Sequence, residues 1–166
     1  FSMSIDFENY ISQLQKHLST GDAREHTYRP AQVNFFDQFG VQTENDPARS
    51  AHGAPDYVFR NVKNTEIVLA YGEAKDIDGD LDKVEKTEQL DRYAGYNNFV
   101  LTNYIEFRFY RNGEKYETVE IAKRDGLALS SIPENFSKLA DELTAFFAKP
   151  PEVIKNAKRL SAIMGA

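Results

Sequence analysis

Apolar residues at positions 7, 10, 11, 14 and 18 (Phe7, Tyr10, Ile11, Leu14, Leu18) recur every three or four places, so residues 4–20 predict an amphipathic helix closed by Gly21. Residues 25–40, "EHTYRPAQVNFFDQFG", predict a second helix. Thr27 is its candidate cap, Pro30 is tolerable only in its first turn, and Val33, Phe36 and Phe39 face the core. A short strand at 41–45 and a polar loop follow. Two strands are then predicted, at 56–60 and about 66–75, joined by the turn "NVKNT". In the longer one Ile67, Leu69 and Tyr71 alternate with Val68, Ala70 and Gly72, so both faces are apolar, as in a central strand covered on each side. Residues 79–96 predict one charged helix. Residues 98–103 and 104–122 predict strands, with Asn112-Gly113 a type I′ hairpin signal. Residues 133–150 predict a further helix, which Pro150-Pro151 breaks ahead of a terminal helical segment. The order ααβββαβββαα describes an α/β or α+β fold, a mixed sheet with helices on its faces.

Composition narrows the class. The 166 residues, 41% hydrophobic and 28% charged, fit one soluble globular domain with a substantial core. The absence of cysteine removes disulfides, thiolate metal sites and a cysteine nucleophile, and agrees with a cytoplasmic protein. No apolar run approaches the about 20 residues that span a bilayer, and no signal-peptide pattern is present, so no membrane partner is expected. A net charge of −6 argues against tight nucleic-acid binding through bulk positive charge. Phe1-Ser2 reads as a remnant ahead of a native start at Met3, and the whole as an excised N-terminal domain.

The candidate chemistry lies where charge meets the strands. Glu73 and Lys75 point to one side of their strand while Ala74 points away. If 56–60 pairs antiparallel with 66–75, Asp56 arrives at the same end of the sheet. Two carboxylates held together repel unless a proton or cation sits between them, and a hard divalent cation such as Mg²⁺ prefers such ligands. The bland alternative is a pair of solvated strand ends. The helix at 79–96 weighs against it, because Asp82, Lys86, Gln89 and Tyr93 form a polar stripe where a packed helix shows apolar residues.

Pro55-Asp56, Glu73-Ala74-Lys75 and Gln89-Leu90-Asp91-Arg92-Tyr93 resemble the PD-(D/E)XK nuclease pattern with the Gln-x-x-x-Tyr addition of its RecB-like branch. The blocks "EHTYRPA", "HGAPDYVF", "GEAKDIDGDLDKVEKTEQLDRY" and "VLTNYIEFRFYRNGE" more narrowly resemble the nuclease domain at the N-terminus of single-chain, Type IIG-like restriction–modification enzymes. The likeness covers about residues 23 to 115. It implies a restriction-endonuclease-like fold at 3–149 and a helical linker at 150–166 leading to an N6-adenine DNA methyltransferase and a target-recognition region. It further implies a bacterial or archaeal type II site-specific deoxyribonuclease that hydrolyses double-stranded DNA with Mg²⁺, or Mn²⁺ in its place. Carried over, Asp56 and Glu73 are metal ligands with the Ala74 carbonyl a further one, Lys75 is the catalytic lysine, and Gln89 and Tyr93 support it. An acid from the first helical region is also implied, with Glu25 ahead of Glu44. A single site cuts one strand, so a transient homodimer is the expected route to a double-strand break.

Other residues stay open between two roles. Arg29 either contacts a phosphate or forms a structural ion pair; His52 either reaches DNA at the rim or orders its loop. His17, His26 and His52 lack metal-ligand spacing. Ile105, Phe107 and Phe109 alternate as core rather than as a base-stacking platform. No GxxxxGK loop supports ATP binding. Two competing functions remain: a catalytically silent DNA-docking or partner-binding domain, and a glycosidase using Asp56 and Glu73 as its acid and base. Lys75 beside the acids counts against the latter.

Overall fold

The computed structural model describes residues 4–24, 26–46, 48 and 53–148. Helix α1 (Phe7–Ser19) starts where the Asp6 side chain accepts the Asn9 N–H at 2.9 Å, and buries the predicted apolar stripe. Helix α2 (Arg29–Asp37) is shorter than predicted. Pro30 lies in its first turn as expected, but Thr27 does not cap it; the Thr27 hydroxyl instead accepts the Arg24 N–H. Its buried face is Ala31, Gln32, Phe35 and Phe36, with Val33 half-buried.

Strands β1 (Val41–Asn45), β2 (Tyr57–Asn61), β3 (Val68–Ala74), β4 (Phe99–Thr102), β5 (Glu106–Arg111) and β6 (Glu114–Glu120) form one six-stranded sheet in chain order. All neighbours are antiparallel except β3 and β4, which run parallel, so the sheet is mixed. The parallel pair needs a crossover, and the 79–96 segment supplies it. That segment is two helices rather than one: α3 (Leu81–Val84), capped by Asp80, and α4 (Glu88–Ala94), capped by Thr87. The Thr87 hydroxyl accepts the Leu90 N–H, a local bond that competes with continuous helix. Glu85, in the gap, is held by Arg108, Tyr110 and Lys115 on the sheet.

Side-chain alternation sends the strands into two cores. On one face Phe59, Val100, Phe107 and Phe109 pack under α1, α2 and the last described helix, α5 (Phe136–Ala148). On the other, Phe99, Leu101 and Tyr110 pack under Leu81, Leu90 and Tyr93. Strand β3 is central, as its pattern predicts. Between its two charged and aromatic neighbours, Gly72 leaves no room for a side chain: a Cβ there would lie 3.0 Å from the Phe59 ring and 3.2 Å from Val100. Gly72→Ala is expected to cost about 1–3 kcal/mol through overpacking, read as a lower urea midpoint at unchanged slope.

The Asn112-Gly113 hairpin forms with both residues at positive φ (52° and 89°), as a type I′ turn requires. A second hairpin was not predicted: β7 (Ala122–Asp125) and β8 (Ala128–Ser131). Its two-residue loop, Gly126-Leu127, places Gly126 at φ 61°, the II′ signature. The Gln15 side chain of α1 clamps it, donating to Leu127 O and accepting from Leu129 N–H. No helix among the described residues is long and apolar enough to cross a membrane.

Candidate active site

Tyr57 opposes Gly72 in the β2–β3 register, so Asp56, one residue earlier, meets Glu73. The meeting is reciprocal. The Asp56 N–H donates to Glu73 Oε1 at 2.9 Å, and the Ala74 N–H donates to Asp56 Oδ2 at 2.9 Å. Asp56 is 3% exposed and Glu73 6%. Lys75 follows on the same face as Glu73, its Nζ 3.4 Å from Glu73 Oε2 and its side chain 28% exposed. Its own N–H is bonded to Thr102 O of the parallel strand β4, which fixes the backbone that carries Glu73 and Lys75. Two carboxylates and an ammonium therefore converge, as strand geometry predicts.

Burial, reinforced by the negative charge of Asp56, pushes the Glu73 carboxyl up to about 7. Beyond Asp56 lies a second cation. The Arg29 Nη2 stands 3.0 Å from Asp56 Oδ1 and its Nη1 donates to Asn45 Oδ1 at 3.3 Å. Arg29 is buried, 2% exposed, and of its two expected roles the structure shows the ion pair.

Gln89 and Tyr93 are adjacent on α4, the Gln89 amide donating to the Tyr93 hydroxyl at 3.1 Å. Burial raises the Tyr93 pKa, and the charges of Glu73 and Asp56 raise it further, which places the phenol within the field of the pair. The rest of the expected polar stripe dissolves with the helix break. Asp82 lies on α3, where it pairs with Arg108 at 2.9 Å, and Lys86 sits exposed in the gap. Glu44 is engaged by Arg60 at 2.9 Å. Glu25 and His52 fall outside the described residues, as does 150–166.

A buried network, absent from the sequence reading, supports Arg29 and Asp56 from behind. Gln32, fully buried on α2, accepts from the Tyr57 hydroxyl at 2.9 Å and donates to the Tyr10 hydroxyl and Thr102 Oγ1 at 3.2 Å each. Tyr10 donates to Tyr104 O, and the Tyr104 N–H donates to Thr102 Oγ1. Tyr104 holds a φ of 81° with its ring fully buried, a conformation that persists only where the surroundings enforce it. The one signal in the sequence was Gln32, a polar residue on the apolar side of α2.

No protein-family profile matches the chain, and no curated protein matches it in sequence. In structure it is similar to a chain of the cryo-electron microscopy structure of a DrdV–DNA complex, with a TM-score of 0.61 and 19% identity over 87% of this chain and 96% of the other. The likeness is one of fold. The architecture is α+β, a mixed six-stranded sheet flanked by helices, and this fold is shared with that chain.

The donor set suits a hard cation. Asp56 and Glu73 present carboxylate oxygens from adjacent strand ends, and burial followed by the charge of Asp56 raises the Glu73 pKa. Among the described residues no three His, Asp or Glu side chains gather into a complete cage.

Proposed function

We propose that this domain is a Mg²⁺-dependent DNA endonuclease of the PD-(D/E)XK class, the cleavage part of a restriction–modification protein. The observation that carries the reading is the convergence of Asp56, Glu73 and Lys75 at adjacent ends of β2 and β3, with Gln89 and Tyr93 on the crossover helix over the same face. The similarity to a chain from a DNA complex supports DNA as the substrate.

In this reading Asp56, Glu73 and the Ala74 carbonyl hold Mg²⁺, or Mn²⁺ in its place, which when bound supplies positive charge and an acidified water for phosphodiester hydrolysis. The protein's own groups do the rest. Lys75, tethered by Glu73 yet partly open to solvent, orients the attacking water or stabilises charge on the phosphoryl oxygens. Gln89 fixes the Tyr93 hydroxyl, and the two define the helix side of the cleft. Burial, and then the charge of Asp56, disfavours the ionised form of Glu73, so nearby positive charge or higher pH favours its ionisation. With a net charge of −6, DNA affinity and sequence choice belong to methyltransferase and target-recognition regions of a longer chain. A transient pair of domains then accounts for cutting both strands.

The test is nicking of supercoiled plasmid under titration with Mg²⁺ and Mn²⁺, with calorimetry on the same samples. Wild type is expected to bind metal and nick. Lys75→Ala is expected to bind metal with affinity within about threefold of wild type and to lose at least about 100-fold in nicking, as removal of a charge-stabilising group does. Metal binding without cutting, even with the partner regions present, transfers the domain to the silent docking class. Absence of metal binding at millimolar concentration ends the nuclease reading.

A further inference from the structure

We infer that Arg29 is an internal counter-cation that competes with the divalent cation for Asp56 and holds the metal affinity of the resting site low. The inference rests on the reading of Asp56 and Glu73 as metal ligands. It goes beyond that reading by giving a role to a residue outside the Asp, Glu, Lys motif.

Both oxygens of Asp56 are already engaged. Oδ2 accepts the Ala74 N–H at 2.9 Å, and Oδ1 faces Arg29 Nη2 at 3.0 Å. Arg29 cannot swing into solvent without leaving its pocket. It is 2% exposed, begins α2 beside Pro30, and is tied by Nη1 to Asn45 of β1. Its position is thus set by the packing of α2 on the sheet and not by the presence of a metal.

Arg29 and Lys75 place two positive charges within 3.4 Å of the two carboxylates. A divalent cation entering between the carboxylates is repelled by these two resident cations at short range, where low dielectric makes each contribution large. Binding strengthens when further negative charge arrives, and a phosphodiester supplies it. Arg29 therefore ties metal loading to the presence of DNA, whereas Lys75, at the open rim, is free to serve the substrate.

The test is calorimetric titration of MgCl₂ and MnCl₂ into the 166-residue chain and its Arg29→Gln and Arg29→Lys variants. Arg29→Gln removes the charge and keeps a donor toward Asp56; it is expected to bind Mg²⁺ at least tenfold more tightly than wild type, although its metal-free melting temperature falls. Arg29→Lys keeps the charge and is expected to stay within threefold of wild type. A purely structural Arg29 predicts the reverse for the glutamine variant: affinity unchanged or weaker, because Asp56 is misplaced. That result, with wild type binding metal, overturns the inference and leaves the metal site intact. If wild type and both variants all fail to bind metal, the inference falls together with the nuclease reading.

Should Arg29→Gln not fold, wild type alone decides. On Mg²⁺ addition the Arg29 side-chain Nε–Hε NMR signal is expected to shift in step with the Glu73 and Ala74 amides. Movement of those amides with a stationary Arg29 signal overturns the inference.

Discussion

Glu73→Gln is expected to stabilise the metal-free domain at pH 8 by about 1–3 kcal/mol while abolishing metal binding. The physical reason is the buried carboxylate pair. Glu73 protonates at about 7 in the folded chain against an ordinary 4.5, because burial and then the charge of Asp56 disfavour its ionised form. The folded state thus binds this proton more tightly than the unfolded state. The resulting stabilisation is complete below about pH 4.5 and is lost as pH rises through 7. Glutamine keeps an oxygen to accept the Asp56 N–H and carries no charge, so it removes the loss. The salt bridge that Lys75 forfeits is a small offset, since that side chain is partly solvated. Thermal melts across pH 4.5 to 8.5 read the effect: a gain on the order of 5 °C at pH 8 that closes below pH 5. A gain independent of pH would show that Glu73 is not the group under electrostatic stress. Saturating Mg²⁺ is expected to flatten the wild-type profile over the same window.

Asp56→Ala is expected to destabilise the domain by about 3–5 kcal/mol, because it strands the Arg29 guanidinium, 2% exposed, without its carboxylate. Arg29→Ala strands Asp56 in turn. The double variant removes both charges, so its loss is expected to fall short of the sum of the singles by about 3 kcal/mol. Parallel urea titrations of the four proteins measure this coupling, and additive losses would refute the pairing. The consequence for enzymology is direct. Loss of nicking in Asp56→Ala mixes loss of a ligand with loss of fold, so Lys75→Ala, at a partly exposed position, is the cleaner probe of chemistry.

Much of this was legible in the chain because it depends on short-range rules. The alternation in residues 66–75 marked β3 as central, and its two-residue period put Glu73 and Lys75 on one face. The "NVKNT" turn predicted the antiparallel pairing that brings Asp56 to the end of the sheet holding Glu73; the register itself depends on a shift between Phe59 and Arg60, with Arg60 opposite Val68 and Tyr57 opposite Gly72. Asn112-Gly113 announced its hairpin through the positive φ that few residues accept. The second hairpin carried a weaker signal, Gly126 at the first position of its II′ loop, and its strands are short and mostly exposed, so no apolar alternation framed it.

The misreadings come from competition between elements distant in sequence. Residues 79–96 have helical periodicity throughout, yet Arg108, Tyr110 and Lys115 of the sheet capture Glu85 and Thr87 starts a new helix, so the polar stripe never forms as one. Gln89 and Tyr93 keep their spacing because both fall within α4. Arg29 was ambiguous in sequence because a guanidinium serves a phosphate and a buried carboxylate equally well; only the packing of α2 on the sheet excludes solvent and assigns it to Asp56.

The strands, the Asn112-Gly113 turn and the gathering of two acids and a lysine at one end of the sheet were legible in the chain, since these follow from periodicity and backbone preference along continuous segments. The tertiary structure alone decided the charge balance of the site: Arg29 behind Asp56, the Gln32–Tyr57–Tyr10–Thr102 network beneath it, and the proton held on Glu73 near neutrality. Those depend on which groups lose their water together, and desolvation is a property of the packed molecule rather than of any stretch of chain.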